Sequence, residues 1–319
     1  MSIEELQQEV RNRIGFLTLE PYERLCKGFL EVIANQHLTR IVSPSSPNYI
    51  FFQYDELQAH RITRPINTDL FLEDPDLFAA TMRRFFDMLE LLRTGSGDRQ
   101  ELLRSRGFDP LDIDRVIYTI QQSIGSVGDS FEAANQTRKR IGQLFESLIR
   151  IIINEVGILC EPRTVRVPLP GFPGRRMSYE LDLVFSRGSA IVTSETEILA
   201  PAEPRVLATT DIIGSVKTTS KDRIDKIFLD KFLLSRLLGR DVRVVAIFLH
   251  DVQRARKRGN IFGINSTFKT NHFIGYTLAL NRLDGVYYVD PRPVMAQDRS
   301  LAQEIGAFSR FIARDLWSL

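Results

Sequence analysis

The hydrophobic pattern of this 319-residue chain changes its period near residue 156. Before that point, apolar residues recur at helical spacing, and we predict helices at 2–37, 76–94, 98–106, 110–124 and 129–156. Loops with a short strand or hairpin are expected over 41–74, and chain breaks at 94–97 and between Gly125 and Gly128.

After residue 156 the pattern is typical of strands. We predict them at 164–168, 177–185, 205–218, 242–250, 272–280 and 286–289, with helices at 222–239 and 299–317. This order predicts an α/β or α+β fold, in which a mixed central sheet is flanked by helices. A mainly helical N-terminal part, 1–125, would precede the sheet-containing part, 126–319.

Composition sets several classes of protein aside. With 43% hydrophobic and 26% charged residues, the chain can bury a sizeable core. No run approaches the roughly 20 apolar residues of a membrane helix, and the N-terminal residues lack the apolar segment of a secretory signal. Cys26 and Cys160 cannot form a disulfide framework, and the four scattered histidines do not match zinc-ligand spacing. We therefore expect a cytoplasmic protein with no membrane association, with both cysteines buried and the histidines structural.

Charged side chains interrupt the apolar pattern of the sheet-containing part. Asp182 directly precedes the apolar run 183–185, with Glu180 two residues earlier, and Lys217 follows the apolar run 212–216. Asp230 lies on the apolar side of the helix at 222–239, where a carboxylate needs a metal ion or a charged partner. Simpler explanations exist for each: a solvated sheet face for the first two, the exit of a strand into water for Lys217, and pairing with Lys226 or Lys231 for Asp230.

An aspartate on one strand, followed by a strand that ends in x-x-Lys, resembles the nuclease core of PD-(D/E)xK enzymes. Ser215 stands where that motif usually has an acidic residue, and Ser215-Val216-Lys217 is similar to the Ser-x-Lys variant of the CCGG family of type II restriction endonucleases. Asp230, 13 positions after Lys217, lies where that family places the displaced acidic residue, which is usually a glutamate. The resemblance covers about residues 138–250.

The resemblance implies a PD-(D/E)xK restriction-endonuclease-like core that cleaves double-stranded DNA with Mg²⁺. Asp182 and Asp230 would hold the metal, and Lys217 would position the water and stabilise charge on the phosphate. Glu146, on the helix before the first strand, matches a family glutamate beside the metal site, although an ordinary surface glutamate explains it equally well. The residues alone leave open whether Glu180 or Asp182 binds the metal, and the match to the family's position favours Asp182.

The resemblance extends to base recognition. Lys221-Asp222-Arg223, at the start of the predicted helix, is similar to the cluster that reads the CC/GG bases in members with an interrupted CCNGG core. Members that read continuous CCGG carry one more residue there. Lysine and arginine donate to guanine, and a carboxylate accepts from cytosine. The analogy implies a homodimer on a palindromic site and central nucleotides flipped out of the duplex. The simpler explanation of Asp222 is a partner for the helix dipole.

Other features have weaker functional interpretations. The net charge is only +2, but arginine outnumbers lysine, and arginine suits planar recognition of phosphate and guanine. Two basic clusters, at 138–140 and in a predicted loop at 253–259, are candidates for phosphate contacts, although a solvated surface explains either one. Bases that flank the core would need other readers, and we consider Tyr54, His60, Arg61 and Arg64 as candidates.

Three functions remain open at this stage. The first is a site-specific restriction endonuclease. The second is a structure-selective repair or recombination nuclease of the same fold, which would not need Asp222. The third is a non-catalytic DNA-binding protein, in which Ser215 marks a decayed active site. The near-neutral net charge slightly disfavours the third, because non-specific DNA binders are usually more basic.

Overall fold

A six-stranded mixed sheet forms the centre of the C-terminal part. The computed structural model describes residues 1–12, 14–35, 38–54, 61–131, 134–187, 207–257 and 259–319. The sheet strands are β5 (Leu159–Pro168), β6 (Arg176–Ser186), β7 (Ile212–Thr219), β8 (Arg243–His250), β11 (Gly285–Tyr288) and β12 (Ile305–Ala307). Their order is β12-β11-β8-β7-β6-β5, with the pairs from β7 to β12 parallel and those from β5 to β7 antiparallel. The predicted mixed sheet is confirmed.

Six helices precede the sheet: α1 (Ile3–Arg11), α2 (Leu19–Ala34), α3 (Pro75–Thr94), α4 (Arg99–Ser105), α5 (Leu111–Asp129) and α6 (Ala134–Glu155). Five more follow or join its strands: α7 (Ile224–Leu238), α8 (Thr270–Ala279), α9 (Pro293–Gln297), α10 (Arg299–Ala302) and α11 (Phe308–Ala313). The single helix predicted at 2–37 is wrong, because the chain leaves helical geometry at Asn12 and re-enters it after Thr18. Within the described residues, no helix has the length and apolarity to cross a membrane.

Gly125 and Gly128 do not break the chain as predicted; both lie inside α5. The guanidinium of Arg64 occupies the space that a side chain at Gly125 would need. The side chain of Ile141 on α6 occupies the corresponding space at Gly128. These glycines therefore permit close packing against α5. The need for glycine at these two positions comes from residues that are distant in the sequence, so the local sequence does not reveal it.

The segment predicted as loops over 41–74 contains a small antiparallel sheet. Its strands are β1 (Leu38–Val42), β2 (Tyr49–Tyr54), β3 (Arg61–Ile62) and β4 (Ile66–Asn67). Strand β2 is buried on both faces: Phe52 packs into the main core, whereas Phe51 packs with Val252 and Ile264 in a separate apolar cluster. Proline-rich turns between very short strands hid this sheet from the pattern.

Three other predictions near the C-terminus are wrong. Residues 272–280 form α8 and not a strand, because Phe273 and Tyr276 both pack on Phe228 of α7 at helical spacing. The helix predicted at 299–317 is interrupted by β12, which adds to β11 as a parallel edge strand. The described residues of the basic segment, 253–257 and 259, belong to a hairpin of β9 (Val252–Lys257) and β10 (Asn260–Ser266) and not to a simple loop.

Two apolar cores cover the two faces of the sheet. One contains α6 and the earlier helices together with sheet residues such as Val216, Val245 and Ile247. The other contains α7 and α8 packed on residues such as Ile213 and Val244. The expected boundary between 1–125 and 126–319 lies inside α5, and the first core includes residues from both sides of it. Cys26 and Cys160 are buried free thiols, as predicted.

Candidate active site

The sheet opens into a fork between β6 and β7. These strands pair over only three positions, of which the last joins Leu183 to Gly214. Beyond it, β6 stays paired with β5, whereas β7 continues along β8. Asp182 and Ser215 are the first residues past this point. Polar side chains can therefore occupy a gap in an otherwise apolar sheet.

A β-bulge fixes the position of Asp182. The β5–β6 register passes from Glu161 opposite Val184 to Arg163 opposite Leu181, so β6 carries one extra residue. The alternation of β6 changes accordingly. Leu181 packs into the α7 side of the sheet, whereas Leu183 packs into the α6 side. Bulges commonly redirect a side chain at functional sites.

Three donors converge on one oxygen of Asp182. Its Oδ2 accepts from Lys217 Nζ at 2.6 Å, from the Val216 backbone N–H at 2.9 Å and from Ser215 Oγ at 3.2 Å. The side chain of Asp182 remains 19% exposed. None of these bonds involves Oδ1, so the carboxylate keeps an oxygen that can coordinate a cation.

Glu146 completes a three-residue charge cluster. It projects from α6 and accepts from Lys217 Nζ at 3.0 Å. Burial raises the pKa of Glu146, and the negative charge of Asp182 adds to this, although Lys217 acts in the opposite direction. Burial tends to lower the pKa of Lys217, but Asp182 and Glu146 outweigh it and raise that pKa overall. Lys217 therefore stays a cation at neutral pH, and the structure brings Glu146 to the predicted Asp182–Lys217 pair.

Asp230 lines the same cavity as Asp182 and Lys217. The cavity measures 620 Å³ and lies between the fork and α7. Burial raises the pKa of Asp230, Lys226 lowers it and Asp182 raises it, which places a second negative charge within electrostatic range of Asp182. Among the described residues, Asp230 forms no ion pair within 4.0 Å. Lys231, one of its two proposed partners, is instead directed to Asp284 at 2.7 Å.

The chemistry of these donors fits Mg²⁺. This ion is commonly held by one or two carboxylates, with phosphate oxygens and water completing its shell. Asp182 and Asp230 supply two carboxylates in one cavity. Within the described part of the chain, no group of three or more His, Cys, Asp or Glu residues forms a preassembled metal site. A metal here would therefore depend on substrate oxygens for the rest of its coordination.

Glu180 lies apart from this cluster. It is exposed on β6 opposite Thr164, although it borders the same cavity. The contacts of Asp182 with Lys217, Ser215 and Val216 have no counterpart at Glu180 among the described hydrogen bonds. Of the two candidate ligands, the geometry favours Asp182.

The sequence Lys221-Asp222-Arg223 forms an exposed turn between β7 and α7. Asp222 has φ of 51°, the one left-handed non-glycine residue in the described part of the chain. A left-handed backbone conformation is strained for a residue other than glycine, and such strain often occurs at functional sites. Lys221 Nζ donates to Gln253 Oε1 of β9 at 3.0 Å, and Arg223 borders the cavity. The three side chains are thus available to a ligand beside the Asp182–Lys217 cluster.

The proposed readers of flanking bases are engaged within the protein. The buried hydroxyl of Tyr54 donates to the Ser126 carbonyl, Arg61 donates to the Phe131 carbonyl, and Arg64 forms a two-bond ion pair with Asp129. His60 lies outside the described residues. This prediction therefore gains no structural support. His250 is buried, and burial followed by the charge of Arg64 lowers its pKa to about 3, consistent with a neutral structural residue.

Tyr179 is a site residue that sequence reasoning missed. It lines the cavity, and burial together with the charge of Asp230 raises its pKa. Its buried hydroxyl has no hydrogen-bond partner among the described residues. The sequence did contain a signal for Tyr179. It lies two residues before Leu181, and side chains two apart on a strand point to the same side of the sheet.

Comparison with known proteins gives a result at the level of the fold. No protein family model matches the chain, and no curated protein matches it in sequence. The crystal structure of the type IIP restriction endonuclease Kpn2I is similar, with a TM-score of 0.70 and 16% identity, over 99% of this chain and 97% of Kpn2I. A complex of the restriction endonuclease PspGI with substrate DNA has a TM-score of 0.40 and 14% identity, over 76% and 91% of the two chains.

Only the first of these likenesses is strong enough to interpret. It extends over nearly the whole of both chains, so it includes the N-terminal helices as well as the sheet. The chain therefore shares its fold with the restriction endonuclease Kpn2I.

Proposed function

We propose that this protein is a type II restriction endonuclease of the CCGG family. It would hydrolyse double-stranded DNA with Mg²⁺ at a palindromic site with a CCNGG or CCGG core. The observation that carries the proposal is the Asp182–Lys217–Glu146 cluster at the sheet fork, with Asp230 across the same cavity. The fold shared with Kpn2I supports it.

The cluster divides the chemistry among its residues. Asp182 and Asp230 would hold Mg²⁺, which supplies a Lewis acid that polarises the phosphate and acidifies water. Lys217, a cation held between two carboxylates, donates to a phosphate oxygen and stabilises the charge that develops there. Glu146 positions the lysine ammonium by accepting one of its hydrogen bonds. Water attacks phosphorus and loses a proton to the surrounding solvent, while the bond to the leaving oxygen breaks and that oxygen takes up a proton from water.

The exposed turn supplies a means of base recognition. Lys221 and Arg223 can donate to guanine O6 and N7, and Asp222 can accept from the cytosine amino group. The left-handed backbone at Asp222 presents a carboxylate between two cations, where an ordinary turn would favour glycine. We propose that a homodimer places two such turns on a palindrome. The contiguous cluster favours an interrupted core whose central nucleotides are flipped out, at a cost of a few kcal/mol.

Digestion of a long sequenced DNA tests the proposal. The purified protein, with Mg²⁺ or with EDTA, should give discrete bands only with Mg²⁺, and mapped ends should reveal one palindromic sequence. A smear would favour the structure-selective nuclease. DNA binding without cleavage under any condition would favour the decayed binding protein.

The variants Asp222→Ala and Asp222→Asn sharpen this result. Each removes the carboxylate that would accept from cytosine, so the discrete bands should be lost. Asp225→Ala, which changes an exposed aspartate in the first turn of α7, is the matched control and should keep the wild-type pattern. An unchanged pattern in both Asp222 variants would exclude this turn as the reader of the core.

A further inference from the structure

The β9–β10 hairpin concentrates positive charge that the catalytic account does not use. Residues 252–266 contain four basic residues, Arg254, Arg256, Lys257 and Arg258, and no acidic residue, whereas the whole chain has a net charge of only +2. Arg254, Arg256 and Lys257 are exposed, and Arg258 lies outside the described residues. Within the described structure, none of these three exposed side chains has an ion-pair partner.

Two arginines elsewhere in the chain are engaged within the protein. Arg64 pairs with Asp129, and Arg140 donates to backbone carbonyls of Val10 and Asn12. The hairpin differs because its cations are presented to solvent on a two-stranded ribbon.

The base of the hairpin is firmly anchored. Val252 and Ile264 are buried with Tyr49 and Phe51 of the small N-terminal sheet. Ser43 Oγ donates to the carbonyl of Phe262 at 2.7 Å, which ties β10 to the end of β1. The hairpin is therefore a fixed projection from the body of the protein, able to hold its charges in a defined place.

A direct hydrogen bond connects the hairpin to the proposed recognition turn. Gln253 Oε1 accepts from Lys221 Nζ at 3.0 Å. Alternation along β9 places Gln253, Ala255 and Lys257 on one side of the strand. Gly263 lies opposite Ala255, and the stem of the Lys257 side chain packs over Gly263. Lys257 is thereby held on the same side of the hairpin as Gln253.

Strand geometry sets the reach of this surface. Lys257 lies four residues beyond Gln253, a distance of about 13 Å along a strand. Phosphates on one DNA strand advance by about 3.4 Å along the helix axis, so β9 lying along that axis would span about four base pairs from the bases at Lys221. That distance extends past one half of a short palindrome into the flanking DNA.

We infer that the β9–β10 hairpin is a phosphate-binding arm, which contacts the DNA backbone outside the recognised bases and orients Lys221 through Gln253. This inference rests on the proposed function. Its ligand is the sugar-phosphate backbone of duplex DNA, contacted without regard to sequence. The arm would add affinity and register to recognition by the turn.

The test compares duplexes that carry the mapped site with either two or eight base pairs on each side. Binding is measured in Ca²⁺ over a series of salt concentrations. The wild type should bind the longer duplex at least about tenfold more tightly, because only that duplex reaches the arm. The triple variant Arg254→Ala, Arg256→Ala, Lys257→Ala should lose this preference. The slope of log K against log salt on the longer duplex should also become shallower by about 2–3.

Two controls isolate the charge of the arm. The variant Arg254→Lys, Arg256→Lys, Lys257→Arg keeps the charge and should keep both the flank preference and the salt slope. Arg104→Ala removes one exposed arginine from α4, a helix that packs on α3 and α11, and should match the wild type. Specific binding by the wild type, with unchanged flank preference and slope in the triple alanine variant, would overturn the arm alone. Absence of specific binding by the wild type would overturn the proposed function as well.

Gln253→Ala tests the link to Lys221. If Gln253 orients Lys221, this variant should reduce discrimination between the mapped site and a single-base variant of its core, with little change in the salt slope. Equal discrimination in the variant and the wild type would remove Gln253 from the inference.

Discussion

Lys217 and Lys231 border the same cavity, and carboxylates hold both, yet their surroundings differ. The side chain of Lys231 is 1% exposed and donates to the Arg282 carbonyl at 2.6 Å and to Asp284 at 2.7 Å. The side chain of Lys217 is 29% exposed, and its partners Glu146 and Asp182 are 28% and 19% exposed. Asp182 also lines the cavity. The cation in the cluster of Lys231 and Asp284 is therefore closed to solvent. The cluster of Lys217, Asp182 and Glu146 is open to a ligand.

Lys231 also has two carboxylates within 4.0 Å, Asp284 at 2.7 Å and Asp241 at 3.6 Å, so the difference lies in burial, in hydrogen bonding and in the further carboxylate near Lys217. Asp284 also accepts from the Val244 backbone N–H, so the ion pair of Lys231 with Asp284 joins α7 to the start of β8. At the fork, Lys217 faces Asp182 and Glu146, and Asp230 adds a third carboxylate to the cavity region. A closed, satisfied pair contributes to folding, whereas an excess of carboxylates around an open cavity favours a cation.

The largest expected effect is at the open cluster. Asp182→Asn removes one proposed metal ligand and the negative charge that faces Lys217. We expect the single-turnover cleavage rate to fall by at least about 10²–10³-fold. The melting temperature should change little. A variant that cleaves within threefold of the wild type would contradict a role for Asp182 in catalysis.

The next effect separates the two lysines by stability. Lys231→Met leaves Asp284 without its buried cation and should lower the free energy of unfolding by about 3–5 kcal/mol. Lys217→Met, at the partly exposed site, should lower it less. Urea denaturation followed by circular dichroism measures both. Equal losses in the two variants would refute the division into a closed and an open cluster.

A smaller effect concerns the second carboxylate of the cavity. Asp230→Asn keeps the shape of the side chain but removes its charge, so the Mg²⁺ concentration for half-maximal cleavage should rise by about 10–100-fold. Asp225→Asn on the same helix is the control and should leave that concentration unchanged. If both variants respond alike to Mg²⁺, Asp230 is not a metal ligand.

The smallest expected effect is on the pH profile. Because the pKa of Glu146 is raised, this residue takes up a proton at a higher pH than the ordinary value of 4.5. The pKa of Asp230 is raised in the same direction. Cleavage should therefore begin to fall above pH 4.5 on acidification, as Glu146 takes up a proton. In Glu146→Gln, the slope of log rate against pH should be smaller by about one. If the wild type and Glu146→Gln have the same slope of log rate against pH on the acidic side, Glu146 does not titrate in the reaction.

Patterns and a family resemblance together predicted much of this cluster. The period change near residue 156 predicted the mixed sheet, and the resemblance to the PD-(D/E)xK core grouped Asp182, Lys217 and Asp230 into one site. Strands that are neighbours in sequence often pair, and a helix that crosses between parallel strands covers the sheet face beside them. These rules bring the three residues close without knowledge of the remaining chain.

Long-range packing decided what the patterns missed. A glycine is needed at position 125, inside α5, because Arg64 occupies the space beside it. Arg64 lies 61 positions earlier in the sequence. The β6 bulge that directs Asp182 into the fork depends on its register with β5. The hairpin of β9 and β10 has its base in an apolar cluster with the N-terminal sheet. None of these contacts leaves a periodic signal in the sequence.

The most direct test of the open cluster is cleavage of a supercoiled plasmid by the wild type and by Lys217→Met, at equal protein concentration and with Mg²⁺. Binding of both proteins to the same DNA in Ca²⁺ is measured in parallel. We predict that the wild type converts the plasmid to linear fragments, whereas the variant binds the DNA and leaves it intact. Cleavage by Lys217→Met at the wild-type rate would contradict the assignment of the Asp182–Lys217 fork as the catalytic centre.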